Sequence, residues 1–208
     1  MQSTLSAREV EQDLAFAIEA AALAGQRVMA LRATGRWQGK TLADVGDQAA
    51  DALLQGLVRG RYPRDGLLSE ETADSQERLS KPRAWIIDPL DGTKEYSELR
   101  EDFAVHVALT LDGRCALGAV ALPARGQVMW GVALPAELRS GLVGDGTLLA
   151  GASVPNGAPR LVVSRSHTPP WIERFAASIG AAELLPVGSV GFKATRSSAQ
   201  SVNPKHRP

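Results

Sequence analysis

Apolar residues return at every third or fourth position from Val10 through Leu14, Ala17, Ala21, Ala24 and Val28 to Leu31, a spacing that places them on one helical face. Ser6 and Glu9 stand just ahead with the spacing of a capping box, in which two side chains satisfy free backbone N–H groups at a helix start. The pattern predicts a helix over 7–32, a loop over 34–40 around Gly35 and Gly39, and a second amphipathic helix after Asp47 with Ala50, Leu53, Leu54, Leu57 and Val58 inward.

Past Pro63 the period shortens. Leu67-Leu68-Ser69-Glu70 and Trp85-Ile86-Ile87-Asp88 are short apolar runs ending in a carboxylate, the pattern of buried strands whose acids reach a sheet edge. The polar stretch 71–81 between them reads as a mobile surface connection. Phe103, Val105, Val107, Leu109 and Leu111 alternate strictly, Asp112-Gly113 supplies a hairpin turn, and strands follow over 114–122 and 128–132. The Gly-rich stretch 137–159 is expected to be irregular, and Leu161-Val162-Val163 to be a strand. Thr168 and Pro169 then cap and open a helix with Ile172, Phe175 and Ile179 inside and Gly180 as its stop. From Thr195 to Pro208 only Ala199 and Val202 are apolar, which predicts a disordered tail.

Charge narrows the partners. The 208 residues carry 23 Lys and Arg against 23 Asp and Glu, so no net positive field draws the chain to nucleic acid or to a membrane surface. The single Cys115 excludes an internal disulfide and a cysteine-built zinc site. No uninterrupted apolar run has the length of a membrane span, and Glu9, Glu11 and Asp13 occupy the place of a signal peptide, so a cytoplasmic protein is expected.

The segment with the most chemistry is Asp88-Pro89-Leu90-Asp91-Gly92-Thr93. The strand is expected to end at Asp88, with Pro89 turning the chain out of the sheet and Thr93 opening a helix through Glu98. Two carboxylates three residues apart at such a turn can converge on hard divalent cations, and Glu70 at the end of the neighbouring strand offers a third. The N–H groups of Gly92 and Thr93 face the same space and suit a phosphate. Metal, acids and anion site together point to phosphate-ester hydrolysis by metal-activated water.

DPLDGT at 88–93, preceded by WII and by Ser69-Glu70-Glu71, resembles the inositol monophosphatase superfamily of lithium-sensitive, magnesium-dependent phosphatases. WIIDPLDGTKEY, ALPARG at 121–126 and SRSH at 164–167 are most similar to its bacterial 3′(2′),5′-bisphosphate nucleotidase branch, over roughly Ala7 to Ala194. The resemblance implies an α+β fold, a layered α/β/α/β/α sandwich. It implies Glu70, Asp88, Asp91 and the Leu90 carbonyl as ligands of Mg²⁺, with Mn²⁺ as a substitute and Li⁺ inhibitory. Gly92 and Thr93 then hold the phosphate, and Asp47 pairs with Thr93 to orient the attacking water. For Asp47 an ordinary helix N-cap is the competing explanation. His167, Gly188, Ser189 and Lys193 are implied at the substrate's nucleotide or second phosphate. A plain loop closure (His167) and a plain helix start (188–193) explain them equally well. His106, on the Ala104, Ala108 and Thr110 face of its strand, reads as structural.

One departure accompanies the likeness. The family adds a metal-binding aspartate in a Trp-Asp-x-Ala pattern, whereas Trp37, Trp85, Trp130 and Trp171 are followed here by Gln, Ile, Gly and Ile. The expected organisation is an N-terminal metal- and phosphate-binding half over 1–111, a partial C-terminal α/β half over 112–194 with the last layer incomplete, and the tail over 195–208, as in a truncated or frameshifted frame. The implied reaction is hydrolysis of adenosine 3′,5′-bisphosphate to AMP and phosphate, slow in these 208 residues. Inositol-1-monophosphatase is the alternative within the family, and a noncatalytic metal- and phosphate-binding remnant the alternative outside enzymology. The expected partners are a small phosphorylated substrate and a second copy of the chain.

Overall fold

The computed structural model describes residues 5–74, 76–135, 137–144 and 158–199. Helix α1 (Ala7–Ala33) starts at the expected capping box: Ser6 N–H donates to Glu9 Oε2 at 2.8 Å and Ser6 Oγ accepts the Glu9 N–H at 3.3 Å. By length and composition α1 could cross a bilayer, but its stripe of Val10, Leu14, Ala17, Ala21, Ala24 and Val28 is buried in this fold.

Helix α2 (Gly39–Arg61) begins a full two turns earlier than its apolar pattern suggests. The segment before Asp47 looks loop-like because of Gly39, Asp44 and Gly46, yet Leu42 is buried and Lys40 pairs with Asp44 one turn on, at 2.8 Å. Gly46 is needed for a close approach, since a Cβ there would lie 2.6 Å from Tyr96 Cε1. The early start corrects the N-cap explanation of Asp47, which sits in mid-helix and is buried.

Six strands form one mixed sheet in sequence order: β1 (Gly66–Ser69), β2 (Arg83–Asp91), β3 (Ala104–Leu111), β4 (Arg114–Leu122), β5 (Gln127–Leu134) and β6 (Glu137–Val143). β1 and β2 are parallel and every later neighbour antiparallel, so the 111/112 division falls in a hairpin within a continuous sheet. Alternation fixes the two faces. Val105, Val107, Leu109, Leu117, Ala119 and Ala121 join the core under α1 and α2 with Trp85, Ile87 and Leu54.

The opposite face carries α5 (Val190–Ala199), whose Phe192 packs with Ala104, Leu122 and Val187. Beyond it lies a parallel pair, β7 (Arg160–Ser164) and β8 (Glu183–Val187), connected through α4 (Ile172–Ser178). Helices and sheets thus form the α+β sandwich expected.

Four expectations are corrected. β2 does not end at Asp88: it continues through Asp91, and Pro89 is accommodated because a bulge between Asp88 and Asp91 interrupts the ladder there. Residues 137–143 are a strand, paired along β5 although its outer side chains, Leu138 among them, are exposed; the rest of the Gly-rich stretch, 145–157, lies outside the described residues. In α4 the buried residue is Ala176, while Phe175 is exposed and covers itself edge-on against Trp171, with ring centroids 6.0 Å apart. Residues 195–199 continue α5 instead of opening a disordered tail, because a helix once nucleated extends through residues such as Ala, Arg and Ser; 200–208 lie outside the described residues.

Candidate metal and phosphate site

The bulge in β2 decides the site. Asp88 is opposite His106 and Asp91 opposite Ala104, so one extra residue on β2 aims both carboxylates at the imidazole. Ligand atoms of Asp88, Asp91 and His106 all lie within 4.8 Å of one another. Asp88 Oδ1 accepts the Leu90 N–H at 3.2 Å. Asp91 Oδ2 is shared by three donors: His106 Nε2 at 3.1 Å, Ser189 Oγ at 2.5 Å and the Gly191 N–H at 2.7 Å. Gly92 follows with φ of +93°, a left-handed turn that an L side chain resists, and Thr93 opens the short helix α3 (Thr93–Ser97).

Helix α2 carries Asp47, Asp51 and Gln55 four residues apart, hence on one face. Asp51 Oδ1 accepts the Ser69 hydroxyl at 2.5 Å, and Gln55 Nε2 bonds both Asp51 Oδ2 and Thr72 Oγ1 at 2.7 Å. Ser69 Oγ also accepts the Glu71 N–H at 3.3 Å. The turn bearing Glu70 and Glu71 is therefore bolted to the helix that carries Asp47.

These acids repel one another. Burial, then the charges of Glu71, Asp88 and Glu70, push the Asp47 carboxyl up to about 8. Burial, with Glu70 and Asp91 adding to it and His106 opposing, pushes Asp88 up to about 7. Asp91 goes the other way: burial would raise it, but His106, Ser189 and Gly191 hold it below the usual carboxylate range. Burial disfavours the His106 cation, yet Asp91, Asp88 and Glu70 outweigh that and raise its pKa. The buried Asp47 Oδ1 has no hydrogen-bond partner. An orphaned carboxylate oxygen beside a cluster of oxygen donors fits a hard divalent cation, which would relieve both the repulsion and the missing bond.

The structure thus gathers Asp47, Glu70, Asp88 and Asp91 at one sheet edge, although the Glu70 carboxylate stays outside the tight Asp88–Asp91–His106 group. The sequence pattern makes His106 structural, whereas the structure brings it to Asp88 and Asp91. Its signal was the outward face of β3 opposite Asp88, which only the register makes visible. Ser189 is the converse case. Its buried hydroxyl donates to Asp91 and accepts the Phe192 N–H at 3.0 Å, so it holds a carboxylate and caps α5 instead of facing a ligand. Lys193 continues the first turn of that helix, its N–H on Ser189 O at 3.1 Å. His167 is exposed in the turn after β7, its N–H on Ser164 Oγ at 3.2 Å, apart from the Asp88–Asp91–His106 group.

A model of the inositol monophosphatase family matches residues 9–169. The chain belongs to that family. This inositol monophosphatase family member is 39% identical over 193 residues to a 3′-phosphoadenosine 5′-phosphate phosphatase of Mycobacterium leprae, covering 88% of this chain and 67% of the relative. It is 39% identical over 178 residues to the protein of the same name from Mycobacterium bovis, covering 82% and 62%. The chain therefore spans between 62% and 67% of the length of these relatives. Among solved structures, CysQ from Bacteroides thetaiotaomicron, a bacterial member of the family, superposes with a TM-score of 0.76 at 21% identity over 92% of this chain and 78% of that one. At that identity the likeness shows the shared fold.

Proposed function

We infer that the chain is a magnesium-dependent phosphomonoesterase whose substrate is adenosine 3′,5′-bisphosphate, cleaved to AMP and phosphate. The observation that carries this reading is the convergence of Asp88, Asp91 and His106 beside the unpartnered Asp47 oxygen. Relatives at 39% identity named for that class of substrate support it.

Divalent cations bound here supply Lewis-acid activation of water and neutralise charge on the leaving oxygen. Glu70, Asp88, Asp91 and the Leu90 carbonyl are the residues that would hold them. Asp47, kept dry by helix α2, takes the proton of the attacking water with Thr93 as its partner. Gly92 and Thr93 present N–H groups to the phosphate. Lys193 and His167 are assigned to the nucleotide side, and Ser189 to Asp91. The same proposal places the protein in the cytoplasm, where a charged nucleotide is confined, as a homodimer touching neither nucleic acid nor membrane.

Phosphate release from adenosine 3′,5′-bisphosphate, followed with and without Mg²⁺, tests the reading. Slow, Mg²⁺-dependent and Li⁺-inhibited turnover is expected, lowered about a hundredfold or more in Asp47→Asn, the usual scale for losing a general base. Mg²⁺-independent release, or faster release from inositol 1-phosphate, would overturn it.

A further inference from the structure

Glu70 reaches the candidate metal site from a thinly held piece of sheet. β1 is four residues long, lies at the edge of the sheet and pairs only with β2. Its last residue, Ser69, is opposite Ile87, so the chain leaves the ladder just where Asp88 begins the site on the neighbouring strand. Past Ser69 the Glu70 N–H reaches Ile87 O at 3.3 Å, the Glu71 N–H reaches Ser69 Oγ at 3.3 Å and the Thr72 N–H reaches Ser69 O at 3.4 Å. Two of these three bonds lie within the turn itself.

The turn is also pushed from one side. Glu70 and Glu71 are exposed, and both are near enough to Asp47 for their charges to act on its carboxyl, as Asp88 is. Like charges so placed drive the turn away from α2 until a cation joins them.

Side chains from one face of α2 oppose that push. Asp51 stands one turn beyond Asp47, and Gln55 one turn beyond Asp51. Asp51 Oδ1 accepts the hydroxyl of buried Ser69 at 2.5 Å, while Oδ2 accepts Gln55 Nε2 at 2.7 Å and the Thr72 hydroxyl at 3.4 Å. Ser69 passes the tie on, because the oxygen that donates to Asp51 also accepts the Glu71 N–H. The helix is a firm anchor, since Ala50 and Leu54 beside Asp51 are buried in the core. As an ion Asp51 adds to the local repulsion. Its use lies in being an acceptor alone: three donors converge on it and meet no competing donor.

We propose that Asp51 is a positioning residue: through Ser69 it holds the Glu70–Glu71 turn beside Asp47 and Asp88, and so sets the affinity of the site for its divalent cation. The proposal rests on the metal site of the phosphatase reading. With the turn fastened in advance, an arriving ion meets its donors in place and need not draw them in against their mutual repulsion.

The test measures Mn²⁺ affinity of the full chain without substrate, from the free-ion signal in electron paramagnetic resonance, in Asp51→Ala, Ser69→Ala and Asp51→Asn. The two alanine variants cut the tie from opposite ends, and each should weaken binding about tenfold, the loss of a hydrogen bond to a charged group. Asp51→Asn should restore affinity to within about twofold. Its oxygen still accepts the Ser69 hydroxyl, and its amide faces the Gln55 oxygen once that side chain turns over. Amide hydrogen exchange over 70–72 in chelator should quicken in the alanine variants and return in Asp51→Asn. A role in stability alone would lower Tm and leave Mn²⁺ affinity where it was. Wild-type affinity in either folded alanine variant therefore overturns the proposal, and Ser69→Ala decides if Asp51→Ala misfolds. Asp51→Asn as weak as Asp51→Ala overturns it too, because Asp51 would then act by its charge on the cation. No Mn²⁺ binding by the wild-type chain overturns the metal site and the tie together. The predicted losses of Mn²⁺ affinity without phosphate release from adenosine 3′,5′-bisphosphate overturn the phosphatase reading and leave the tie standing.

Discussion

Ser189 donates its hydroxyl to Asp91 across 2.5 Å, joining residues 98 positions apart in the chain. With the Gly191 N–H on the same oxygen, the start of α5 closes over a carboxylate at the end of β2. One Asp91 oxygen is occupied by protein donors, which leaves the other for a cation. Ser189→Ala should therefore weaken Mn²⁺ binding about tenfold, the loss of one hydrogen bond to a charged group, read from the free-Mn²⁺ signal in electron paramagnetic resonance. Ser189→Thr, which keeps the hydroxyl, should restore it. Unchanged Mn²⁺ binding in the alanine variant would return Ser189 to the substrate.

The raised carboxyls set a pH dependence. Asp47 near 8 and Asp88 near 7 keep their protons in the folded metal-free chain well above the range where an unfolded Asp has lost them. Between those two ranges the folded state binds more protons, so this contribution to metal-free stability is full only below the ordinary Asp range, is lost as pH rises from there to 7 and 8, and levels off above. Asp102 acts in the opposite sense. Burial alone would raise it, but Arg165, the Gly188 N–H and Arg100 hold it at about 2. Its contribution is present above the ordinary Asp range and is lost as pH falls towards 2. Thermal melts from pH 5 to 8 in chelator should show Tm falling with pH, and Mg²⁺ should reverse the slope, because its ligands must be deprotonated. A flat or rising metal-free profile would contradict the assignment.

Gly46 tests the packing of α2 against α3. Tyr96 is buried, and its hydroxyl donates to Val28 O at 2.8 Å across the space a Cβ at 46 would fill. Gly46→Ala should cost about 1–3 kcal/mol by overpacking, measured by urea denaturation, despite alanine's better helix propensity. A stabilised variant would show that the ring moves freely.

Much of this architecture is legible in the residues themselves. The capping box at Ser6 and Glu9, the alternation of β3 and the Asp112-Gly113 hairpin are local signals, and local physics settles them. The site is legible as a set of acids because DPLDGT is contiguous. What escaped depends on distant partners. The early start of α2 goes with the burial of Leu42 in the core, and β6 with pairing along β5. His106 joins the site through the register beside a bulge, and Ser189 finds its role 98 residues away. No spacing rule reads those contacts, because each is set by where the chain returns in space.

Glu70, Asp88 and Asp91 are the residues proposed to form a divalent-cation site at the edge of the sheet. Calorimetric titration of Mn²⁺ into the full chain tests it most directly. Saturable binding that is strongly weakened in Asp88→Asn, with the fold intact by circular dichroism, is the predicted result. Equal binding by the wild-type chain and a folded Asp88→Asn variant would contradict it.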